Sequence, residues 1–302
     1  MTMLAGTGQV YYSSGASGVG RQNREDLSDM ITNISPTETP FLSNLSKASA
    51  QNVYHEWLTH TLTAAATAGG LEGDVAAFSS PTTLTRDVNI CQINRKYIAV
   101  SGTQEAVNKA GMKSEMAYRV INATKEIKRD LEMAMFQNTQ YITGGATTAR
   151  SLKGVAGFAT AVSTTAAVTA ALVNSMLQTL WENGGYPEVM YVNGAMKGKL
   201  SQLAAATTTN YSWDMKTDAK KFSTAVDVWD GDFGVQRIVA AHQMTTQSVA
   251  ALELQHWKHA TLRPLQTVDL AVGGDNVKKM IQMESTLECR APLSSGYYTW
   301  TG

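Results

Sequence analysis

From Ala110 to Gln140 the chain reads AGMKSEMAYRVINATKEIKRDLEMAMFQNTQ, and no other stretch restricts the fold as tightly. From Ala117 a seam of Ala117, Val120, Thr124, Ile127, Leu131, Ala134 and Asn138 recurs every three or four residues, while Glu115–Arg119 and Lys128–Glu132 stand four apart as ion pairs for the outside. The spacing predicts a long amphipathic helix with one buried face. Ser101 or Thr103 can cap its start, and Glu105 suits the positive end of the helix dipole. Gly111 is expected to kink or break the rod, and Gly144-Gly145 to end it. If helical from Thr103 to Tyr141 it would span on the order of 55 Å at 1.5 Å per residue. A rod of that length, bearing no recognisable catalytic motif, needs a mechanical explanation.

Charge narrows the possibilities. The 302 residues include 25 basic and 25 acidic side chains, so the whole-chain electrostatic footprint of a dedicated nucleic-acid binder is missing and any contact with DNA must be local and weak. With 43 % hydrophobic residues the chain can bury a core. Its longest apolar runs, such as VAALEL from Val249, fall far short of the roughly 20 residues of a membrane-spanning helix, and no span is expected. The opening MTMLAGTGQVYYSSGASGVGRQNRED offers neither a basic leader nor a continuous apolar run, so a secretory signal is not expected. Cys91 and Cys289 form neither a zinc spacing nor a disulfide framework and read as small buried hydrophobes.

Around the rod the pattern is uneven. Residues 1–52 read as an extended arm, rich in Gly, Ser and Thr and stiffened by Ser35-Pro36 and Thr39-Pro40. Within it Leu27, Met30, Ile31 and Ile34 fall at helical spacing, an apolar face the arm cannot bury by itself. Val53–Leu62 and Arg86–Val100 read as strands, joined by a small-residue connector too long for a compact domain. A projecting two-stranded loop follows, and such a hairpin gains stability by lying on a partner. After the rod, AAVTAALVNSMLQTLWENGG reads as a helix stopped at Gly184, PEVMYVNG as a buried strand and AMKGKLSQLAA as a shorter helix. AVDVWDGDFGVQRIVAA contains an Asp230-Gly231 turn between strand-like runs. Beyond Gln247 the chain is strand-rich, and those strands are expected to return to the long helix.

Chemistry is sparse. GASGVG (Gly15 to Gly20) follows no buried strand and reads as a linker; GAMKGKL (Gly194 to Leu200) departs from a phosphate-loop spacing and reads as a helix start. His256 and His259 lack nearby acidic or sulfur ligands. Neither a nucleophile elbow nor paired carboxylates stand out. The basic runs NRKY (Asn94 to Tyr97) and KEIKRD (Lys125 to Asp130) could touch phosphate, but Glu126 and Asp130 favour a solvated face. No catalytic residue, cofactor or metal is expected.

REDLSDMITNISPTETPFLSNLSK (Arg24 to Lys47), then YHEW (Tyr54 to Trp57), EGD (Glu72 to Asp74) and VSGTQEAVNKAG (Val100 to Gly111), occurring in that order, resemble the major capsid, or major head, proteins of tailed bacteriophages. The resemblance implies an α+β chain with the Hong Kong-phage-type capsid fold, shared with the herpesvirus capsid floor. Its parts would be an N-terminal arm (1–52), an extended β-hairpin loop (53–102), a peripheral domain with spine helix and sheet (103–163 plus 256–302) and an axial domain (164–255). It further implies an icosahedral shell of pentamers and hexamers around double-stranded DNA, built in the host bacterial cytoplasm as a precursor and then expanded. A portal protein, a separate scaffolding protein and a decoration protein are the implied partners, with weak non-specific contact to packaged DNA and none to membrane. Leu27, Ile31 and Phe41 in the arm, and Trp57, Glu72, Asp74 and Arg86 in the loop, are the candidate assembly contacts. Some relatives weld their shells through a loop lysine joined to an asparagine; from Leu58 to Asn94 this chain has no lysine, so no such mesh is expected. The competing readings are another virion component, a tail-tube or minor head protein, and third an enzyme with an α+β core.

Overall fold

The computed structural model describes residues 31–300 apart from 66, 68, 70, 71, 74, 76–81, 165–167, 208–226 and 246. Pro40, whose missing N–H is no loss in a first helical turn, opens the short α1 (Pro40–Asn44), and Leu45 turns the chain into β1 (Ser46–Ser49). β2 (Tyr54–Thr59) and β3 (Thr85–Ile90) pair antiparallel from Tyr54↔Ile90 to Thr59↔Thr85, as the alternating sequence predicted. One residue, Cys91, separates β3 from β4 (Gln92–Ser101).

The rod is two helices. The Ser101 hydroxyl accepts the Gln104 N–H at 3.2 Å and caps α2 (Gly102–Ala106); Ser114 does the same for Ala117 at 3.2 Å and caps α3 (Glu115–Gln137). Between them Gly111 takes φ 77°, the left-handed conformation that glycine adopts without strain, so the expected break occurs there. Glu105 spans the break, its Oε2 accepting the N–H groups of Glu115 at 3.1 Å and Met116 at 3.4 Å. The far end differs from expectation. α3 stops at Gln137 because Asn138 turns outward to donate to Ser151 Oγ and Leu152 O, each at 2.9 Å. Gly144, at φ 79°, serves the turn beyond, where Ile142 and Ser151 bridge.

The buried seam of α3 runs through Met116, Ala123, Ile127, Leu131 and Met135, one position away from the expected line, and Ala117 is exposed. Glu132 and Phe136 are buried too, since α1 covers that flank. The expected Lys128–Glu132 pair therefore does not form, whereas Arg119 Nε reaches Glu115 Oε1 at 2.6 Å.

After α4 (Val155–Phe158) and β5 (Thr160–Thr164), Thr169 caps α5 (Ala170–Glu182), and the chain passes through Gly184 at φ 82° into β6 (Val189–Val192) and α6 (Gly194–Thr207). β7 (Val228–Gly231) and β8 (Gly234–Ala240) close on the pair Gly231↔Gly234, so the turn residues are Asp232 and Phe233 and not Asp230-Gly231. Gly234, at φ 109°, supplies the left-handed corner, which moves the turn two residues along. β9 (Ser248–Leu252), β10 (Trp257–Asp269), β11 (Asn276–Cys289) and β12 (Gly296–Trp300) complete the chain.

Two larger sheets result. One has the order β1-β10-β11-β4, with β1 parallel to β10; its Ile98, Val100, Ile281, Met283 and Leu287 pack in one core with the seam of α3. The other has the order β5-β12-β9-β6-β8-β7, and beneath it Val173, Met176, Leu177 and Leu180 of α5 meet Met190, Val192, Leu200, Ile238 and Trp300. β12 pairs with both β5 and β9. The last strand and β5 therefore belong to the six-stranded sheet, whereas the boundaries expected from sequence place both with the spine helix. Only the pairing of segments distant in sequence decides this.

Candidate functional site

Since no catalytic cluster is expected, the informative places are those where projecting parts join the body. The β2–β3 hairpin is held at its base by three devices. Trp57 is buried, its ring 5.9 Å from Phe158, which in turn meets Trp257 at 6.3 Å. His55 Nε2 lies 3.0 Å from Glu288 Oε2, and Arg290 Nε lies 2.5 Å from Glu288 Oε1. Hydrogen bonding to His55, more than the charge of Arg290, holds the Glu288 carboxyl down at about 2, although burial opposes the shift. Asn89, fully buried, donates through Nδ2 to Lys153 O at 2.9 Å and Leu287 O at 2.7 Å, and accepts the Lys153 N–H at 2.8 Å.

Away from the base the hairpin is wet. Leu58, Leu62, Val75 and Leu84 are exposed, Leu62 to 86 %. Charges there are weakly engaged: Arg86 reaches Glu56 at 3.5 Å with both side chains largely in solvent, and Glu72 is exposed.

The end of the arm is tied down across the spine helix. Phe41 stacks on Phe136 with centroids 4.7 Å apart and meets Tyr191 at 5.4 Å and Trp257 at 6.5 Å. Leu42 donates its N–H to Glu132 Oε2 at 3.1 Å, and Asn44 Nδ2 donates to the Tyr191 hydroxyl at 2.9 Å. Burial raises the Glu132 carboxyl to about 7 against the pull of these backbone N–H groups, and raises the Tyr191 hydroxyl to about 12. Upstream of this clasp Ile31 is 41 % exposed and Ile34 is 94 % exposed.

The candidate contacts thus divide. Phe41 and Trp57 fill their own chain's interior, at 0 % and 8 % exposure, so neither presents its ring to a neighbour. The correction has one cause for both: a large aromatic beside a flexible segment finds its pocket within the chain. Ile31, Glu72 and Arg86 stand at the surface, while Leu27 and Asp74 lie outside the described residues. Missed by sequence reasoning were Asn89, Glu132 and Glu288, polar residues with partners 64 to 233 positions away. Their local surroundings carry no signal of those partners.

Other chemistry is quiet. Among the described residues no three His, Cys, Asp or Glu side chains gather to hold a metal ion. Burial pushes the Cys91 thiol up to about 11 and the Cys289 thiol to about 12, the reverse of what a nucleophile needs. His259 is pressed down to about 4 by burial and is neutral. Lys96 Nζ lies 2.8 Å from Asp130 and 3.6 Å from Glu126, so the two basic runs noted in sequence meet and are partly neutralised. Among the described residues no helix is long and apolar enough to cross a membrane.

Comparison with known proteins supplies the context. The sequence model of the SU10 major capsid protein family matches residues 7–300. The major capsid protein of Escherichia phage Phieco32 is 25 % identical over 334 residues, covering 91 % of this chain and 94 % of the relative. Among solved structures, the capsid asymmetric unit of cyanophage A-1(L) superposes with a TM-score of 0.69 at 12 % identity, covering 92 % of this chain and 96 % of that one. The phage G structure of gp27 major capsid proteins and gp26 decoration proteins gives 0.59 at 9 % identity, with 95 % and 100 % covered. Likeness at so low an identity speaks for the fold.

Proposed function

The chain belongs to the SU10 major capsid protein family, a tailed-phage major capsid protein and not an enzyme, and we propose that its copies close as pentamers and hexamers into an icosahedral shell around double-stranded DNA. The observation that carries this reading is the projecting hairpin whose leucines, Leu62 above all, stand in water. An apolar edge on a long loop is unfavourable for an isolated subunit and favourable for one that lays it on a neighbour. The arm and hairpin would each cover adjacent subunits through Leu27, Ile31, Glu72, Asp74 and Arg86. Each contact would be modest, and closure would make many of them act together. In this scheme residues 1–52 are the arm, 53–102 the extended loop, the sheet with α3 the peripheral domain, and the six-stranded unit the axial domain. Zero formal charge suits tiles that must meet without repulsion and must not hold packaged DNA tightly. A separate scaffolding protein, a portal and a decoration protein complete the proposed partners, with assembly in the bacterial cytoplasm. Negative-stain microscopy of the purified chain is the test. Shells or capsomers are the expected result, and a protein that remains monomeric at every concentration would overturn the proposal.

A further inference from the structure

Glu132 is a carboxylic acid where the fold has little use for a charge. It is fully buried on the flank of α3, and its Oε2 receives the Leu42 N–H while Oε1 has no partner. Everything that closes the site comes from the end of the arm: Phe41 stacked over Phe136, Leu42, and Asn44 tied to Tyr191. α1 brings no titratable side chain. β6 brings Tyr191, whose hydroxyl is already held by Asn44, and on α3 itself the cations one turn earlier are Lys128 and Arg129, of which Lys128 is exposed. Only burial and the N–H groups of Phe41 and Leu42 act on Glu132, so no cation steadies its charged form. A carboxylate there must lose its water whenever α1 docks, and a neutral carboxyl need not.

We propose that α1 is a pH-responsive clasp on the spine helix: protonated Glu132 lets it close, and ionised Glu132 loosens it. The sign follows from linkage. With α1 lifted, water reaches Glu132 and its proton is lost near the ordinary 4.5, whereas with α1 docked the proton is held to about 7. Docking therefore binds a proton across that window, is fully present below it, and weakens as pH rises through it. Because β1 follows α1 directly, loosening the clasp frees the hinge on which the arm turns while the β1–β10 pairing stays. The clasp thus gives the arm two settings near neutral pH. This inference concerns a contact within one chain and stands whether or not copies assemble as proposed above.

Amide hydrogen exchange on the full chain tests it, with rates corrected for the intrinsic effect of pH. Between about pH 5 and about pH 8 the opening equilibrium of the peptide spanning residues 40–45 should rise by as much as about two orders of magnitude, with little further change in alkali. Peptides in β11 should show no such dependence. Glu132→Gln, which keeps the shape and cannot ionise, should hold α1 equally protected across the range. Protection of α1 that is independent of pH in the wild type overturns the proposal by itself, so the test survives if the variant fails to fold. A pH dependence retained in Glu132→Gln overturns it as well.

Discussion

Replacing Asn89 with alanine isolates what fixes the hairpin to the body. Its amide makes three long-range hydrogen bonds, to Lys153 O, Leu287 O and the Lys153 N–H, at 2.7 to 2.9 Å and in a fully buried position. Each such bond contributes about 0.5–1.5 kcal/mol net, and each buried backbone group left without a partner costs about 1–3 kcal/mol. Truncation removes all three bonds together and orphans three backbone groups. Some relaxation is allowed for, so the loss should be about 3–5 kcal/mol, more than a hundredfold in the folded-to-unfolded ratio. Denaturant unfolding of the unassembled full chain, followed by tryptophan fluorescence, measures it, and hydrogen exchange should place the loss in β2 and β3. Arg86→Ala is the control on the same hairpin: it removes an exposed ion pair and should leave the midpoint unchanged. A loss below about 1 kcal/mol for Asn89→Ala, with the slope unchanged, would refute the claim that this amide pins the hairpin.

Gly154→Ala should destabilise by about 1–3 kcal/mol, visible as a lower Tm, because the new methyl would stand 2.5 Å from Met135 O and 2.7 Å from Ala134 O, backbone atoms that cannot swing aside. Glu288, held down at about 2, contributes stability that is present above about 4.5 and is lost as pH falls through that window. Exchange in β2 should therefore rise in acid, and less so in Glu288→Gln. Glu72→Ala with Asp74→Ala should impair shell formation in sedimentation while the far-ultraviolet circular dichroism spectrum stays that of the wild type. Denaturing electrophoresis of mature particles should give one band near 32.5 kDa, and a high-mass ladder would contradict the absence of a cross-linking lysine between Leu58 and Asn94.

What could be read from sequence was local. β-branched and aromatic residues announced β2, β3 and β4; Gly111 announced the break in the rod, and Gly184 the end of α5. The seam of α3 was legible to within one position because its period is set by the helix itself. Its second buried flank was not, since Glu132 and Phe136 are covered by residues some 90 positions earlier, and no window of sequence contains both. The same distance hid Asn89 and Glu288, and it sent β12 to a sheet other than the expected one. Ser114 had a visible signal, a hydroxyl followed directly by an acidic residue. The helical pattern upstream of it drew the start of the helix back to Thr103. Loop geometry was the other source of error: Asp230-Gly231 is a good turn dipeptide, but Gly234 offered the corner that strand pairing required.

The direction of β1 bears on how a tile resists being pulled. Since β1 runs parallel to β10, tension entering from the front of the chain along the strand loads its rungs side by side, and they must rupture together. The antiparallel hairpin tugged at its open end would instead peel one pair at a time. A subunit so made yields gradually at one handle and abruptly at the other.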